Sequence, residues 1–162
     1  MRALERVNKV LNHPLFCGEF SKINELEKDR VFCRHGMNHL ADVARIAYIL
    51  YLESDCGTKY PKELFYTAAL LHDLGRARQD IDGTPHERES ARLAEVILPE
   101  CGFDSAESEL ILDAILSHRT ATGEKPGFAG FIYRADKLSR HCVSCAAEAD
   151  CDWELKNLRF EY

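Results

Sequence analysis

The sequence predicts an all-α domain, and three observations lead to that prediction. Apolar residues recur at spacings of three and four along nearly the whole chain, and no segment shows the sustained alternation with β-branched residues that is typical of strands. The 162 residues are enough for one domain with its own hydrophobic core. The composition, 46% hydrophobic and 30% charged, is typical of a folded chain. We therefore expect a compact helical bundle.

The spacing of apolar residues predicts four helices in the first half of the chain. Pro14 stops the first helix, Pro61 suits the first position of the fourth, and Gly75 is a suitable end for it. In the third helix His39 falls on the same face as the apolar stripe, and in the fourth His72 shares a face with core residues. The predicted ranges are residues 4–11, 16–29, 36–53 and 61–75.

A fifth helix is predicted from residue 85 to about residue 98. Thr84 and Glu87 have the spacing of a capping box, and Pro85 suits the first helical position. His86 would then lie in the first turn, and Pro99 would follow the last residue of the helix.

Two more helices complete the predicted bundle. Asp104 and Ser105 can cap the first of them, in which His118 lies on the apolar face at the C-terminal end. A loop at residues 123–127 follows, and Pro126 can begin a helix that runs to about residue 140. Asp136 is a carboxylate on the inward side of that last helix.

The net charge and the cysteine content limit the classes of function that the protein can have. The net charge of −6 disfavours binding of nucleic acids and anionic membranes over the surface as a whole, so an anionic substrate needs a local basic patch or a metal ion. The longest apolar runs are too short for a membrane span and the N-terminus lacks the apolar core of a signal peptide, which predicts a cytoplasmic protein. Seven cysteines, an odd number, indicate reduced thiols or metal ligands rather than a disulfide framework.

Histidines and aspartates fall repeatedly on inward faces or at helix ends. Burying one unpaired polar group costs roughly 2–7 kcal/mol, so several such groups should satisfy one another or share an ion. A single one of these histidines is better explained as a core residue bonded to a backbone carbonyl, but the set as a whole favours a metal site. Imidazoles mixed with carboxylates suit iron, manganese, zinc, nickel or cobalt better than calcium. The set is His35, His39, His72, Asp73, His86, His118 and Asp136.

Three of these motifs carry a resemblance to a known family. His39 followed by Val43-Ala44, then His72-Asp73, then Asp136 in RADKL, resembles the H…HD…D signature of the HD-domain metal-dependent phosphohydrolase superfamily. His86 in PHERESA and His118 in ILSHRTATG resemble the additional ligands of its binuclear members. The run from residue 111 to residue 140 is especially similar to bacterial HD-domain proteins that hydrolyse diadenosine tetraphosphate.

The resemblance implies one HD domain over residues 1–162, with a core at about residues 35–140 and a cysteine-containing tail, residues 141–162, packed on it. It also implies one or two divalent ions, of iron, manganese or another transition metal. By the resemblance His39, His72, Asp73 and Asp136 hold the first ion, His86 and His118 belong to a second, and Asp73 bridges them and is catalytic. His35 is left as a neighbour of the site or a solvated residue.

A phosphohydrolase also needs cations to bind phosphate. Arg76, Arg119 and Lys137 follow or adjoin the ligands directly and are the main candidates, with Lys125 and Arg134 as further ones. The expected reaction is attack of metal-activated hydroxide on a phosphate ester or anhydride of a nucleotide or dinucleoside polyphosphate. Two departures limit this: Asp42 stands where many HD proteins carry arginine, and the short interval between Asp73 and His86 changes the pocket wall and with it the substrate.

The C-terminal tail brings three thiols together in the sequence. Cys142, Cys145 and Cys151 are closely spaced, and Cys33 could join them through the fold, so a zinc or iron–sulfur site is one interpretation. The spacing matches no common pattern, and free cysteine often acts as a small buried apolar residue, which is the other interpretation.

Two other functions remain open at this stage. A mixed-valent di-iron oxygenase of the HD type would use a similar ligand set, and a non-catalytic metal- or redox-sensing module would use the cysteine tail. The expected partner is a small phosphorylated substrate, most simply a nucleotide; nucleic acid and membrane partners are not expected, and a homodimer is left open.

Overall fold

The computed structural model describes residues 4–119, 127–154 and 156–159, and it confirms the all-α class. Within these residues the chain forms α-helices, one short 3-10 turn and no strand. The α-helices are α1 Glu5–Leu11, α2 Pro14–Leu26, α3 Met37–Leu52, α4 Lys62–Leu71, α5 Arg76–Asp82, α6 His86–Cys101, α7 Ser105–Ser117 and α8 Phe128–Leu138, and the 3-10 turn is Cys142–Ser144.

The centre of the bundle is built by five helices. Helix α3 packs against α4 and α8, while α7 packs against α4, α6 and α8. The side chains between them, among them Phe65, Ile97, Ile115 and Ile132, are fully buried. Burial of each such side chain stabilises the folded state by roughly 1.5–3 kcal/mol, because its apolar surface is removed from water. The remaining helices, α1, α2 and α5, pack around this centre against α4 and α6.

The prediction that α4 reaches Gly75 is wrong. Helix α4 ends at Leu71, residues 72–75 form a turn, and Gly75 precedes a separate helix, α5, which the sequence pattern did not indicate. Pro61 lies just before α4 rather than at its first position. The turn is fixed by tertiary contacts, since Gly75 N–H donates to Ser90 Oγ of α6 over 2.8 Å. Helix α4 therefore ends directly before His72 and Asp73, which lie in the turn.

Helix α6 differs from its prediction at both ends. Pro85 is its N-cap and makes no side-chain cap, so the capping box of Thr84 and Glu87 is absent. Gln79 Oε1 accepts from the backbone N–H of His86 instead, over 3.3 Å. At the other end the helix continues through Pro99 to Cys101, because Gly102 in the left-handed region (φ 89°) provides the actual stop.

The predicted start of α7 and the predicted position of α8 agree more closely with the structure. Asp104 caps α7 and forms a capping box with Glu107, as the sequence led us to expect of the Asp104 position. Helix α8 begins at Phe128 and ends at Leu138, slightly short of the predicted residue 140. Pro126, Lys125 and all but the last residue of the predicted 123–127 loop lie outside the described residues.

The C-terminal segment lies against α8. Asn157 Nδ2 donates to the carbonyl of Leu138 over 2.7 Å, and the guanidinium of Arg140 lies over the ring of Trp153. Ala147 and Cys142 are buried. Within the described part of the chain, no helix has the length and apolar character needed to cross a membrane.

Candidate metal centre

The six ligands predicted from the sequence meet at one place in the bundle. Each comes from the end of a helix or the turn after it, where a side chain can leave the apolar core and still point inward. All of them are buried except His39, whose side chain is 11% exposed. They are His39 near the start of α3, His72 and Asp73 after α4, His86 at the start of α6, His118 after α7 and Asp136 in α8.

One group of ligand atoms surrounds Oδ2 of Asp73. His72 Nε2 lies 3.2 Å from this oxygen and His39 Nε2 lies 3.4 Å from it. Asp136 closes the group, with its Oδ1 3.5 Å from His39 Nε2 and 3.8 Å from His72 Nε2. Ligand atoms of these four residues all lie within 4.8 Å of one another, which is close enough to hold one metal ion.

A second group surrounds the other oxygen of the same carboxylate. His86 Nε2 lies 3.1 Å from Asp73 Oδ1, and His118 Nε2 lies 3.7 Å from it. Asp73, His86 and His118 again have ligand atoms within 4.8 Å of one another. Asp73 is thus shared, with one oxygen turned to each group, which is the geometry required of a bridging carboxylate.

The other ring nitrogen of each histidine is held by a hydrogen bond. His72 Nδ1 lies 2.7 Å from the carbonyl oxygen of Ala69, and His118 Nδ1 lies 2.6 Å from that of Ile115. Because a carbonyl can only accept, both Nδ1 atoms carry a proton, and Nε2 is the ring nitrogen that each histidine turns towards the ligand groups.

His86 and His39 are held in the same way by side chains. His86 Nδ1 lies 2.7 Å from Gln79 Oε1, and His39 Nδ1 lies 3.1 Å from Ser139 Oγ. Ser139 itself donates to the carbonyl of Asp136, so its oxygen is left to accept from His39. Such outer contacts orient metal-binding imidazoles and raise their basicity.

The buried atoms of the centre fit a cation. His39 Nε2, His72 Nε2 and both carboxylate oxygens of Asp73 are buried without a hydrogen-bond partner among the described residues. His86 Nε2 and His118 Nε2 face each other 3.0 Å apart, and with neutral rings two lone pairs would then repel. Unpaired buried polar atoms are costly and rare, and a cation placed where they converge would satisfy them together.

The protonation of the site supports the same conclusion. Burial would raise the pKa of Asp73, but the charges of His72 and Arg76 hold it well below its usual range. Asp136 is also buried, and contacts with His72 and Lys137 hold its pKa well below normal. Burial lowers the pKa of His72, yet the nearby Asp73 and Asp136 raise it to about 10. The two carboxylates therefore attract positive charge strongly.

The three main phosphate-binding candidates line the cavity of about 520 Å³ that opens onto the ligands. Arg76 Nε lies 2.9 Å from Asp73 Oδ1, and Lys137 Nζ lies 2.5 Å from Asp136 Oδ2. Arg119 is half exposed and pairs with Glu87 over 3.3 Å. Arg134 is exposed and is not among the lining residues, and Lys125 lies outside the described residues.

His35 proves to be buried rather than solvated. Its Nδ1 lies 2.6 Å from Glu27 Oε1, and its backbone N–H donates to Glu27 Oε2 over 2.7 Å. Its Nε2 lies 3.9 Å from Asp73 Oδ2, so it is a neighbour of the centre rather than a member of either ligand group. Burial lowers the pKa of His35, which favours the neutral ring.

The predicted cysteine site is only partly assembled. Cys33, Cys142 and Cys151 line the large cavity, whereas Cys145 lines a smaller one beside it with Cys33 and Cys142. All are free thiols, and the described groups with ligand atoms within 4.8 Å of one another contain no cysteine. A metal site at these thiols stays a prediction.

Sequence reasoning missed several residues around the centre. Gln79 and Ser139 orient ligands, Glu27 orients His35, and Arg140 and Arg30 line the cavity. The position of Arg140, four residues after Asp136 in the helix predicted to run to about residue 140, could have indicated it. The others depend on contacts between distant parts of the chain.

The fold and the centre together define an all-α protein with two adjoining metal-ligand groups that share one aspartate. A profile of the HD domain family matches residues 36–141, and the chain belongs to that family. The enzyme class predicted from the sequence, a metal-dependent phosphohydrolase of the HD superfamily, is thereby supported.

Two relatives show how far the similarity extends. An uncharacterized protein of Clostridium beijerinckii is 41% identical over 161 residues, which are 98% of this chain and 100% of that protein. A crystal structure described as a predicted HD superfamily hydrolase, from an uncultured Thermotogales bacterium, is 27% identical with a TM-score of 0.57. That match covers 75% of this chain, and the chain spans 66% of the Thermotogales structure.

Proposed function

We propose that the protein hydrolyses a phosphate ester or anhydride of a nucleotide or dinucleoside polyphosphate, using two transition-metal ions such as iron or manganese. The observation that carries the proposal is the position of Asp73, whose two oxygens each face a separate ligand group. The HD family match and the Thermotogales hydrolase structure support the reaction class.

The residues of the chain divide into ion-holding and substrate-binding groups. His39, His72, Asp73 and Asp136 would hold one ion, and Asp73, His86 and His118 would hold the other. Metal ions bound there would lower the pKa of water towards neutrality and offset the charge that develops on phosphoryl oxygens. The hydrogen bonds to Nδ1 keep the imidazoles in the orientation and protonation state that this requires.

The cations of the cavity would place the substrate. Arg76 lies beside Asp73 Oδ1, the oxygen that faces His86 and His118, where it can donate to a phosphoryl oxygen. Lys137 neutralises Asp136 and also donates to the carbonyl of His118, so it bridges the two sides of the centre. The cavity is large enough for a ligand of nucleotide size.

The test is release of phosphate from a panel of nucleotides, dinucleoside polyphosphates and simple phosphate esters by protein loaded with manganese, cobalt or iron. We expect turnover in air and under anaerobic conditions alike, since hydrolysis needs no oxygen. Absence of release across the panel, or turnover only with iron and oxygen, would overturn the proposal and favour the oxygenase.

Asp73→Asn and Asp42→Asn form a matched pair for that assay. Asp73→Asn keeps the size of the side chain but removes the shared charge, so activity should fall by at least about 100-fold. Asp42 contacts Arg45 and His141 and belongs to neither ligand group, and its variant should keep activity within about threefold of the unmodified protein.

A further inference from the structure

Arg140 is a cavity cation with unused hydrogen-bond donors. Its Nε is buried and has no hydrogen-bond partner among the described residues. The nearest carboxylate contact is weak, with Nη2 lying 4.0 Å from Asp136 Oδ1, and the side chain is 13% exposed. A mostly buried guanidinium in this state is ready to bind an anion.

Three other cations of the cavity lie closer to a carboxylate than Arg140 does. Lys137 is in contact with Asp136 and donates to the carbonyl of His118. Arg119 pairs with Glu87, and Arg76 lies 2.9 Å from Asp73. Arg76 Nε, like Arg140 Nε, has no hydrogen-bond partner among the described residues, but it lies 2.9 Å from a carboxylate oxygen, whereas the nearest carboxylate oxygen to Arg140 is 4.0 Å away.

Trp153 holds Arg140 in place. The guanidinium carbon lies 4.4 Å from the centroid of the indole ring, which is the distance of a cation–π contact. This contact limits the movement of the guanidinium, while its N–H groups remain able to bind a ligand. Trp153 lies in the C-terminal segment, beyond the residues that the HD family profile matches. This arrangement is therefore an addition to the shared HD core.

Arg140 and Arg76 lie at different sides of the ligand set. Arg76 contacts Asp73 Oδ1, the oxygen that faces His86 and His118. Arg140 approaches Asp136, which completes the group of His39 and His72. Arg30 also lines the cavity, as does the exposed carboxylate of Asp152. A substrate with one phosphate at the ligands thus leaves the Arg140 side free for a second anionic group.

We propose that Arg140, positioned by Trp153, binds a second phosphate group of the substrate, so that compounds with two or more linked phosphates are preferred over monophosphates. The inference rests on the proposed function, because it takes the ligand set as the place of the reacting phosphate. Recognition of the second group follows from unused donors beside a site that already binds one anion.

Binding of two non-hydrolysable probes tests the inference without turnover. Methylenediphosphonate carries two linked anionic groups and methylphosphonate carries one. Calorimetric titrations of manganese-loaded protein, at fixed excess Mn²⁺ and corrected for binding of Mn²⁺ by the probes, should show at least about tenfold tighter binding of methylenediphosphonate. Equal affinities for the two probes would overturn the inference.

Substitution locates the preference at Arg140. Arg140→Gln should reduce the difference between the probes to about threefold or less, and should leave the affinity for methylphosphonate nearly unchanged. Arg140→Lys keeps the charge but loses the planar guanidinium, so it should keep only part of the difference in affinity between the probes. This second variant tests the inference if Arg140→Gln does not fold. Arg134→Gln, an exposed control in α8, should behave as the unmodified protein.

The outcomes separate the two proposals. If Arg140→Gln keeps the full preference for methylenediphosphonate, Arg140 is not the second anion site. If the preference depends on Arg140 but no phosphate compound is hydrolysed, the proposed function fails and the two-anion binding site remains.

Discussion

His35 Nδ1 lies 2.6 Å from Oε1 of Glu27, and the second oxygen of the same carboxylate accepts from the backbone N–H of His35 over 2.7 Å. Both residues are only 4% exposed. Glu27 follows helix α2, and His35 precedes α3, which carries His39. The pair therefore fastens the N-terminal part of the chain to the start of the helix that brings His39 into the centre.

Removal of Glu27 should destabilise the fold. Glu27→Ala leaves two donors of His35 buried without an acceptor, and we expect a loss of about 2–4 kcal/mol in the free energy of unfolding. Denaturant titration monitored by circular dichroism measures it. Glu25→Ala is the control, since Glu25 is exposed and its contact with Lys28 contributes roughly 0–1 kcal/mol. Equal losses in the two variants would show that the buried pair does not support the fold.

Ser139 should matter for metal affinity more than for the fold. Its hydroxyl accepts from His39 Nδ1, so Ser139→Ala frees the imidazole to rotate and should weaken metal binding by about 10–100-fold. Competition with a chromophoric chelator gives the affinity. Ser144→Ala, at an exposed serine beyond α8, should leave the affinity unchanged. If both variants bind metal as the unmodified protein does, His39 is oriented by other contacts.

The number of metal ions should depend on His118. His118 contributes to the second ligand group only, so His118→Ala should lower the bound metal from about two ions per chain to about one. Asp73→Ala should lose both, because Asp73 belongs to both groups. Elemental analysis of the purified variants measures the stoichiometry. An unchanged metal content in His118→Ala would show that His118 is not needed to hold an ion.

The centre could be predicted from the sequence more fully than its surroundings. Local sequence patterns predict that the ligands are buried. His72-Asp73 stands at the end of an apolar run, and His118 and Asp136 fall on apolar helix faces. Helix α5 was missed because, of its seven residues, only Ala77 is buried, so no apolar stripe marks it. The contacts of Glu27 with His35 and of Arg140 with Trp153 join distant segments, and local periodicity carries no information about them.

Pro99 shows a second limit of local reasoning. Proline usually ends a helix because it lacks the N–H of the backbone ladder. In α6 the buried side chains of Ile97, Leu98 and Cys101 hold the last turn against the core, and Gly102 then allows the chain to turn away. Tertiary packing thus outweighs the local preference, and the end of the helix moves from residue 98 to residue 101.

Metal binding should release protons and strengthen as the pH rises. In the metal-free protein the pKa of His72 is raised to about 10 by its two carboxylate neighbours, so a metal must displace a proton at neutral pH. The protonated His72 stabilises the metal-free fold fully below its ordinary pKa of 6.5, and this contribution is lost as the pH rises towards 10. The stabilisation gained from added metal should accordingly increase over that range.

Calorimetry at pH 7 in two buffers of different ionisation enthalpy measures the proton release, which should be about one proton per chain from His72. His141→Gln, at an exposed histidine outside both ligand groups, should release the same amount. Heats that do not depend on the buffer would show that His72 is already neutral in the metal-free protein.

Gly75 should be required for the position of His86. A Cβ atom at residue 75 would lie 2.5 Å from the carbonyl oxygen of His86 and 2.6 Å from the backbone nitrogen of Ser90, both in α6. Because these are backbone atoms, Gly75→Ala must displace the helix start, at a cost of roughly 1–3 kcal/mol in unfolding free energy. The displacement should also weaken binding of the second metal ion more than binding of the first, since His86 belongs only to the second group.

Gly18→Ala in α2, where nothing lies within 4 Å of the new Cβ, is the control and should stabilise the protein by up to about 1 kcal/mol. A Gly75→Ala protein with normal stability and two tightly bound ions would show that α6 can shift without moving His86.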